Sequence, residues 1–556
     1  DIPELNSGIS EKELVKTKKQ MVVAANPYAS EAGNNILNQG GNAIDAMVAV
    51  QLVLGLVEPQ SSGLGGGAFL VYYDAEKGEL TTYDGRETAP KAATGDMFLD
   101  ESGNPLGFFD AVIGGRSVGT PGTVALLYDL HLKYGKLQWQ TVFAPAIKLA
   151  EQGFVVSPRL HSSITRSAES LFKYTKTREY FLSEEGVPLF VGTKIINKEY
   201  ANTLKSIVLG GRDAFYKGEM AQRIVDTVQN AEGNPGRLAL EDLADYKVIE
   251  REPICYRYRG YDVCGMGPPS SGAISVGQTL GLLEAYDLKA YGPGSLESWR
   301  LIGDATRLAF ADRGKFIADT DFIKMPKGLL NRSYVWDRSQ SLISEEALTP
   351  DDVFPGNPPF DHSFNYAPDN SLELPSTSHF SIVDSEGNVV SMTTTIENGF
   401  GSRLMVGGFL LNNELTDFSF VPEVDGQPVA NRIEPGKRPR SSMAPTIILK
   451  DGKPVLAIGS PGGSSIIPYV AKTIIAWIDW DMDIQQAIEL PHLVNKWGRY
   501  DLEKGTAAEK FEAPLTGLGF VTEIRELNSG LHGIEITGDG LEGGSDPRRE
   551  GVAIGN

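Results

Sequence analysis

The chain has 556 residues, 41% apolar and 22% charged, the composition of ordinary globular protein and enough chain for several domains or one large layered one. Its 72 acidic residues against 51 basic ones give a net charge of −21, which repels nucleic acid and anionic membranes and argues against both as partners. The longest apolar region, AIDAMVAVQLVLGLV, carries Asp45 and Gln51 and reads as a buried helix, not a membrane span.

The opening DIPELNSG lacks the basic-then-apolar pattern of a signal peptide. The expectation is therefore either a cytoplasmic protein or one whose signal has been removed. A strand-like run near residue 20 precedes a predicted helix over Ala29–Leu37 that ends at Gly40-Gly41, and a longer helix starts at Ala43. SSGLGGGAFLVYYD then reads as a glycine turn feeding an alternating strand, with strand and turn continuing to Arg86. The glycine run lacks the Lys-Ser/Thr of a phosphate loop and leads into a strand, so it is assigned to close backbone packing.

From about Val118 to Asp337 the pattern is mostly helical. PGTVALLYDLHLKYG has Pro121 near its first turn and Gly135 at its end, and WQTVFAPAIKLAEQG repeats that asymmetry. Cys255 and Cys264 flank YRYRGYDV, two short strands around a turn; a cross-strand disulfide and two unpaired structural thiols are both open readings. Neither the cysteines nor the six histidines have metal-ligand spacing, so no metal is expected. Residues 351–375 hold five prolines and read as an exposed linker. After Thr377, strands and glycine turns dominate to the C-terminus.

The chemistry concentrates there. SHFSIVD and VVSMTTTI read as a hairpin joined by SEGN, and a turn centred near Glu386-Gly387 sets position 377 opposite about 396. Thr377 and Thr395 then share the open end of the hairpin. A threonine at a chain start can use its own α-amine as base, without a catalytic histidine. Thr377 is internal, so this role requires the chain to be cut before it. Three more stretches carry polar groups: FLLNNELTDFSF, GKRPRSSMAPT and AIGSPGGSSIIP. In the last, a Gly-Gly turn can aim two N–H groups at one oxyanion.

Taken together, GGNAIDAMVAVQLVLGLVEPQSSGLGGGAF, DGRETAP, GTPGTVALL, PPSSGAIS, TSHFSIVD, NNELTDF, KRPRSSMAPT, GSPGG and SDPR resemble the γ-glutamyltranspeptidase (glutathione hydrolase) family along nearly the whole chain. The resemblance implies an N-terminal-nucleophile hydrolase with a four-layer αββα sandwich. It implies self-cleavage between Ser376 and Thr377, giving a large subunit 1–376 and a small subunit 377–556 that stay together. Thr377 matches the nucleophile, Thr395 its supporting threonine, and Gly462 and Gly463 the oxyanion hole. Arg86, Ser441 and Ser442 match the carboxylate-binding groups and Asp417 the ammonium-binding acid; Glu414 and Glu397 fall at further substrate-binding positions. His379 reads as structural, and Asp546 matches a family signature to which no chemistry is assigned.

The implied substrates are glutathione and related γ-glutamyl compounds, with water, amino acids or peptides as acceptors. No cofactor is implied, and the family's usual bacterial home is the periplasm or exterior. A cephalosporin (glutaryl) acylase on the same scaffold is the alternative. A poly-γ-glutamate depolymerase and a catalytically silent binding relative are further readings. The segment between Phe400 and Asn412 is shorter than in well-known members, and that between Asp417 and Ser441 lies between lidded and lidless forms in length, so a reduced or absent lid is expected.

Overall fold

A computed structural model describes residues 9–359, 365–369, 371–374 and 376–556. Side-chain alternation along its strands builds the layers. Met21 and Val23 face one way and Val22 and Ala24 the other, as the period of two dictates. Met21, Val23, Val71, Tyr73, Val383 and Val389 from one sheet meet Ile447, Ala457, Ile534 and Leu541 from another, forming a central apolar seam. The opposite faces are covered by helices. Pro27–Asn38, Ala43–Val57, Thr123–Tyr134 and Trp139–Gln152 cover the first sheet, while Gly272–Leu283, Leu296–Phe316 and Ile466–Ile478 cover the second. The architecture is therefore helix, sheet, sheet, helix, the expected sandwich.

Each sheet has seven strands. The first runs Val552–Gly555, Met21–Ala24, Thr377–Val383, Val389–Thr395, Gly67–Asp74, Glu79–Gly85, Ile249–Arg251; the second is Val15–Thr17, Gly540–Ser545, His532–Thr537, Lys453–Ile458, Thr446–Lys450, Tyr261–Gly265, Ile254–Tyr258. Thr377–Val383 lies inside its sheet, between Met21–Ala24 and Val389–Thr395. Strands from both sides of the Ser376–Thr377 bond thus share one sheet.

The helix Ala43–Val57 is buried on every side, as its apolar run requires. Asn42 caps it by accepting from Asp45 N–H, and the Asp45 carboxylate accepts from Asn42 N–H in return. The glycine run packs as expected. A Cβ on Gly65 would sit 2.0 Å from the Leu410 carbonyl oxygen, and one on Gly66 2.1 Å from that of Thr395. Cys255 and Cys264 face each other across their strands and form a disulfide, which closes the open choice between the two readings.

Two expectations are corrected. In the hairpin Thr377 pairs with Thr395, not 396, because five residues, 384–388, form the turn. The Asp384 carboxylate accepts from the Glu386 and Asn388 backbone N–H groups and from Ala43 N–H, which holds that longer turn against the long helix. The stretch ahead of Thr377 is an exposed linker only in part: Asp351, Asp352, Phe354 and Asn357 are exposed, but nearer the cut it turns inward. Tyr366, Ala367, Glu373 and Leu374 are buried. Their neighbours are acids paired with buried arginines, a partnership the proline-rich composition concealed.

Candidate active site

The open end of the hairpin places two hydroxyls together. Thr377 Oγ1 and Thr395 Oγ1 lie 3.0 Å apart, both side chains buried. Thr395 Oγ1 accepts from Glu397 N–H at 2.8 Å and lies 3.3 Å from the Ser376 carbonyl oxygen. With Thr377 donating to Thr395, the Thr395 proton points at the carbonyl of the Ser376–Thr377 bond and polarises it. Arg549 Nη1 donates to the Thr377 carbonyl at 3.0 Å and fixes the other side of the residue.

The hydroxyl of Ser376 is held from the GLVEPQSS stretch, donating to the Gln60 carbonyl at 3.0 Å and meeting Ser61 Oγ at 3.1 Å. Glu58 from the same stretch accepts from Ser378 Oγ at 2.8 Å and pairs with Arg159 at 3.0 Å. Glu58, Gln60, Ser61 and Arg159 were missed as site residues. The signal for Glu58, Gln60 and Ser61 was that their stretch belongs to a long motif, while Arg159 lies outside every motif. His379 sits one residue further along. Its ring nitrogens meet Thr393 Oγ1 and Ser381 Oγ, and burial holds it well below the usual imidazole range, with His532 adding to the effect. It is a neutral structural histidine.

The polar residues of the later stretches converge on Arg86. This guanidinium is buried; Nη2 donates to Asp417 at 2.7 Å and to the Arg440 carbonyl at 2.8 Å, and Nε to the Pro439 carbonyl. Glu414 meets Nη1 at 3.1 Å. Glu87 beside Glu414 and Glu397 beside Asp417 complete the acidic group, and Arg403 lies near Glu397. Glu397 sits at φ +79°, in the left-handed region, two residues after Thr395, and Asn413 Nδ2 donates to it.

Burial pushes Glu397, Glu414 and Asp417 well above the ordinary carboxylate range, and repulsion among them adds to that. Glu87 rises to about 7, again chiefly by burial, with Arg86 opposing. Among the described residues no donor hydrogen-bonds either oxygen of Glu87, Glu414 Oε1, Glu397 Oε1 or Asp417 Oδ1, and the Arg86–Glu414 contact is an ion pair without hydrogen-bond geometry. Glu87 faces Glu414 and Glu397 faces Asp417 as carboxyl pairs, which bond only when one member holds a proton. The arrangement is short of positive charge.

Ser441 and Ser442 lie beside this group. Ser441 Oγ accepts from Met443 N–H, and Ser442 Oγ accepts from Arg313 at 2.6 Å. Gly462 and Gly463 have φ of +138° and +58° and lead into the helix Ile466–Ile478. The Glu373 carbonyl lies over Gly463, 2.8 Å from where a Cβ would stand. Beyond Ser376 a cavity of about 910 Å³ opens, bounded by Gln60, Leu374, Asn398, Phe400 and Arg403. The chain after Asp417 forms a two-stranded ribbon, Glu423–Val424 with Gln427–Pro428, anchored by Phe420 stacked on Phe98.

The γ-glutamyltranspeptidase family model matches residues 29–556. The glutathione hydrolase proenzyme of Bacillus subtilis strain 168 is 39% identical over 551 residues, covering 97% of this chain and 92% of the relative. This chain belongs to the γ-glutamyltranspeptidase family. The glutathione hydrolase proenzyme of Escherichia coli K12 is 38% identical over 96% of this chain and 91% of its own length. Among solved structures, a cephalosporin acylase from Bacillus halodurans superposes with a TM-score of 0.85 at 26% identity, covering 98% of this chain and 97% of that one.

Proposed function

We propose that the protein is a γ-glutamyltransferase and glutathione hydrolase that acts after cleavage at Ser376–Thr377. Thr377 Oγ1 attacks the γ-amide carbonyl, and the freed α-amine of Thr377 takes the hydroxyl proton and passes it to the leaving amine. Thr395 supports the hydroxyl, and the N–H groups of Gly462 and Gly463 receive the developing oxyanion. Collapse expels the amine and leaves a γ-glutamyl ester on Thr377. Water then releases glutamate, or an amino acid or dipeptide amine accepts the acyl group. Residues 1–376 and 377–556 form the two subunits of one folded unit.

The acid-rich pocket carries this reading. Glu414 and Asp417 share the Arg86 guanidinium, Glu87 and Glu397 stand against these two acids, and the four leave carboxylate oxygens without donors. A γ-glutamyl group brings an α-ammonium with three donors into that deficit, while Arg86, Ser441 and Ser442 stand where its α-carboxylate binds. A glutaryl group has no ammonium and would leave the acids unpaired. The acylase among the solved structures keeps that second reading testable. Release of p-nitroaniline from γ-glutamyl-p-nitroanilide is expected to exceed release from glutaryl-p-nitroanilide by about 100-fold, the value of one buried charged contact. Faster turnover of the glutaryl compound reverses the assignment.

Thr377→Ala is expected to run as one uncut band on a denaturing gel and to lose turnover; a cut or active variant removes Thr377 from the nucleophile role. The Cys255–Cys264 disulfide supports a periplasmic or secreted location, where such bonds persist. No helix among the described residues is long and apolar enough to cross a membrane.

A further inference from the structure

Arg403 breaks a pattern that other buried arginines keep. Arg86, Arg159, Arg313, Arg440 and Arg548 each have a carboxylate within 3.1 Å. Arg403 is 4% exposed and has no acid at ion-pair distance among the described residues. Burial pulls its guanidinium down to about 10, and Glu397 opposes this from beyond pairing distance.

The side chain is held by neutral groups. Nε donates to Ser170 Oγ at 3.1 Å, and Nη1 to Asn398 Oδ1 at 2.8 Å and to the Gly401 carbonyl at 2.7 Å. The Phe109 ring centroid lies 5.9 Å from the guanidinium carbon. The backbone is fixed as well. Arg403 N–H donates to the Phe400 carbonyl, and Thr177 Oγ1 donates to the Arg403 carbonyl. These bonds keep Arg403 at φ +67°, a left-handed conformation that persists only where the surroundings over-determine it. Nη2 makes no hydrogen bond among the described residues. It is the arm left for the cavity that Arg403 lines.

That cavity, about 910 Å³, is also lined by Ser376, the residue ahead of the nucleophile, and its volume suits a peptide-sized ligand. Its exposed lining residues include Arg166 and Lys173 but also Asp110 and Glu169, two charges of each sign. These balance, so Arg403 sets the charge of the buried wall. On the reading above, the γ-glutamyl half of the substrate lies at Arg86 and its acids. The amine half lies on the other side of the carbonyl that Thr377 attacks. We propose that this cavity binds the amine half, first as the leaving peptide and then as the acceptor, and that Arg403 seats its C-terminal carboxylate.

The physical reason is charge. A buried cation with only neutral partners and one arm open to a cavity is completed by an anion. The carboxylate of an amino acid or peptide amine is an anion that the proposed reaction itself brings. It is distinct from the α-carboxylate of the γ-glutamyl group, which stays at Arg86, Ser441 and Ser442. Nη2 donates to it in a charge-assisted bond. Arg403 is thus a specificity-determining residue for the amine half, and the seat rests on the γ-glutamyl reading for the identity of its occupant.

The test compares glutathione with its C-terminal amide as donors for the cleaved enzyme, since the two differ only in that carboxylate. kcat/KM for glutathione is expected to exceed that for the amide by about tenfold, the worth of one charged hydrogen bond. Arg403→Met is expected to bring the ratio to within about twofold of one, whatever happens to the two absolute rates. A merely structural role would lower both rates and keep the ratio. Equal turnover of the two donors by the wild-type enzyme, or a preference that survives Arg403→Met, overturns the proposal. Should Arg403→Met not fold or not cut, Arg403→Lys decides: the preference is expected to fall to about threefold, because the charge remains and the fixed fork is lost. An undiminished preference also overturns it. The two readings fail separately. If the wild-type enzyme cleaves glutaryl-p-nitroanilide and not the γ-glutamyl compound, the γ-glutamyl assignment falls, while glutaryl-glycylglycine against its C-terminal amide still reads the seat.

Discussion

Two buried ion clusters of this molecule look alike in composition and differ in how completely they are satisfied. At Arg548, Nε and Nη2 donate to the two oxygens of Glu503 at 2.6 and 2.9 Å, and Nη1 donates to Asp546 at 3.0 Å. The remaining capacity goes to the Ile488 and Leu490 carbonyls. Glu503 also accepts from His492 N–H, and Asp546 from Ser529 Oγ and the Leu531 and Arg548 N–H groups. Every carboxylate oxygen there has a donor. At Arg86, Glu414 keeps only a 3.1 Å ion pair with Nη1 that lacks hydrogen-bond geometry, and Glu87, Glu397 and Asp417 keep open oxygens.

A buried polar group without a partner is normally selected out unless something else supplies the partner. The Arg548 cluster is scaffold, and this gives the SDPR motif a structural role. The Arg86 cluster leaves carboxylate oxygens open, which is what the proposed ammonium-binding role requires. Perturbed acids gathered in one cleft are a marker of a functional site for the same reason.

Substitutions can break or sharpen this contrast. The largest effect is expected at the scaffold. Glu503→Gln leaves Arg548 with a buried charge short of one acid, and unfolding free energy should fall by ~3–5 kcal/mol in a denaturant titration. A change under about 1 kcal/mol would mean that the satisfied network is not structural. Asp417→Asn should do the reverse. Removing one acid from an overcrowded group leaves the melting temperature unchanged or raised, while kcat/KM for a γ-glutamyl anilide falls about 100-fold, the worth of one charged hydrogen bond to the ammonium. Equal losses of stability and activity would put Asp417 in the scaffold.

The smallest effect is a pH dependence. Glu87 rises from 4.5 to about 7 on folding because burial disfavours its charge. A raised folded value gives stability that is complete at low pH and is lost as pH climbs through the folded value. Glu87→Gln should therefore match the parent below pH 4.5 and gain up to about 3 kcal/mol above pH 7, at 1.36 kcal/mol per unit. A pH-independent difference would show that Glu87 does not titrate between the two states.

Much of the scaffold was legible in particular residues. The strand-like run near residue 20 is the strand Met21–Ala24, the helix expected from Ala43 starts there, and the glycines of GLGGGAF make the close approach that the Leu410 and Thr395 carbonyls now explain. The neighbouring threonines were readable because a hairpin turn fixes its partners to within a residue. The miss by one came from Asp384, whose carboxylate holds a longer turn by bonding to a helix far away in sequence.

Glu58, Arg313 and Glu373 were not readable as site residues. Each looks like a surface charge until its partner is known, and the partners lie 101 residues away for Glu58 with Arg159 and 60 for Arg313 with Glu373. The disulfide was likewise open, since spacing brings two cysteines across a hairpin without stating that they face the same side.

The sequence by itself determined the local structure, the family and the identity of the two threonines, because period, caps and motifs act over a few residues. Tertiary structure decided which charges are satisfied and which are left open. That depends on burial and on contacts between distant segments, which give both oxygens of Glu503 a donor and leave both oxygens of Glu87 without one.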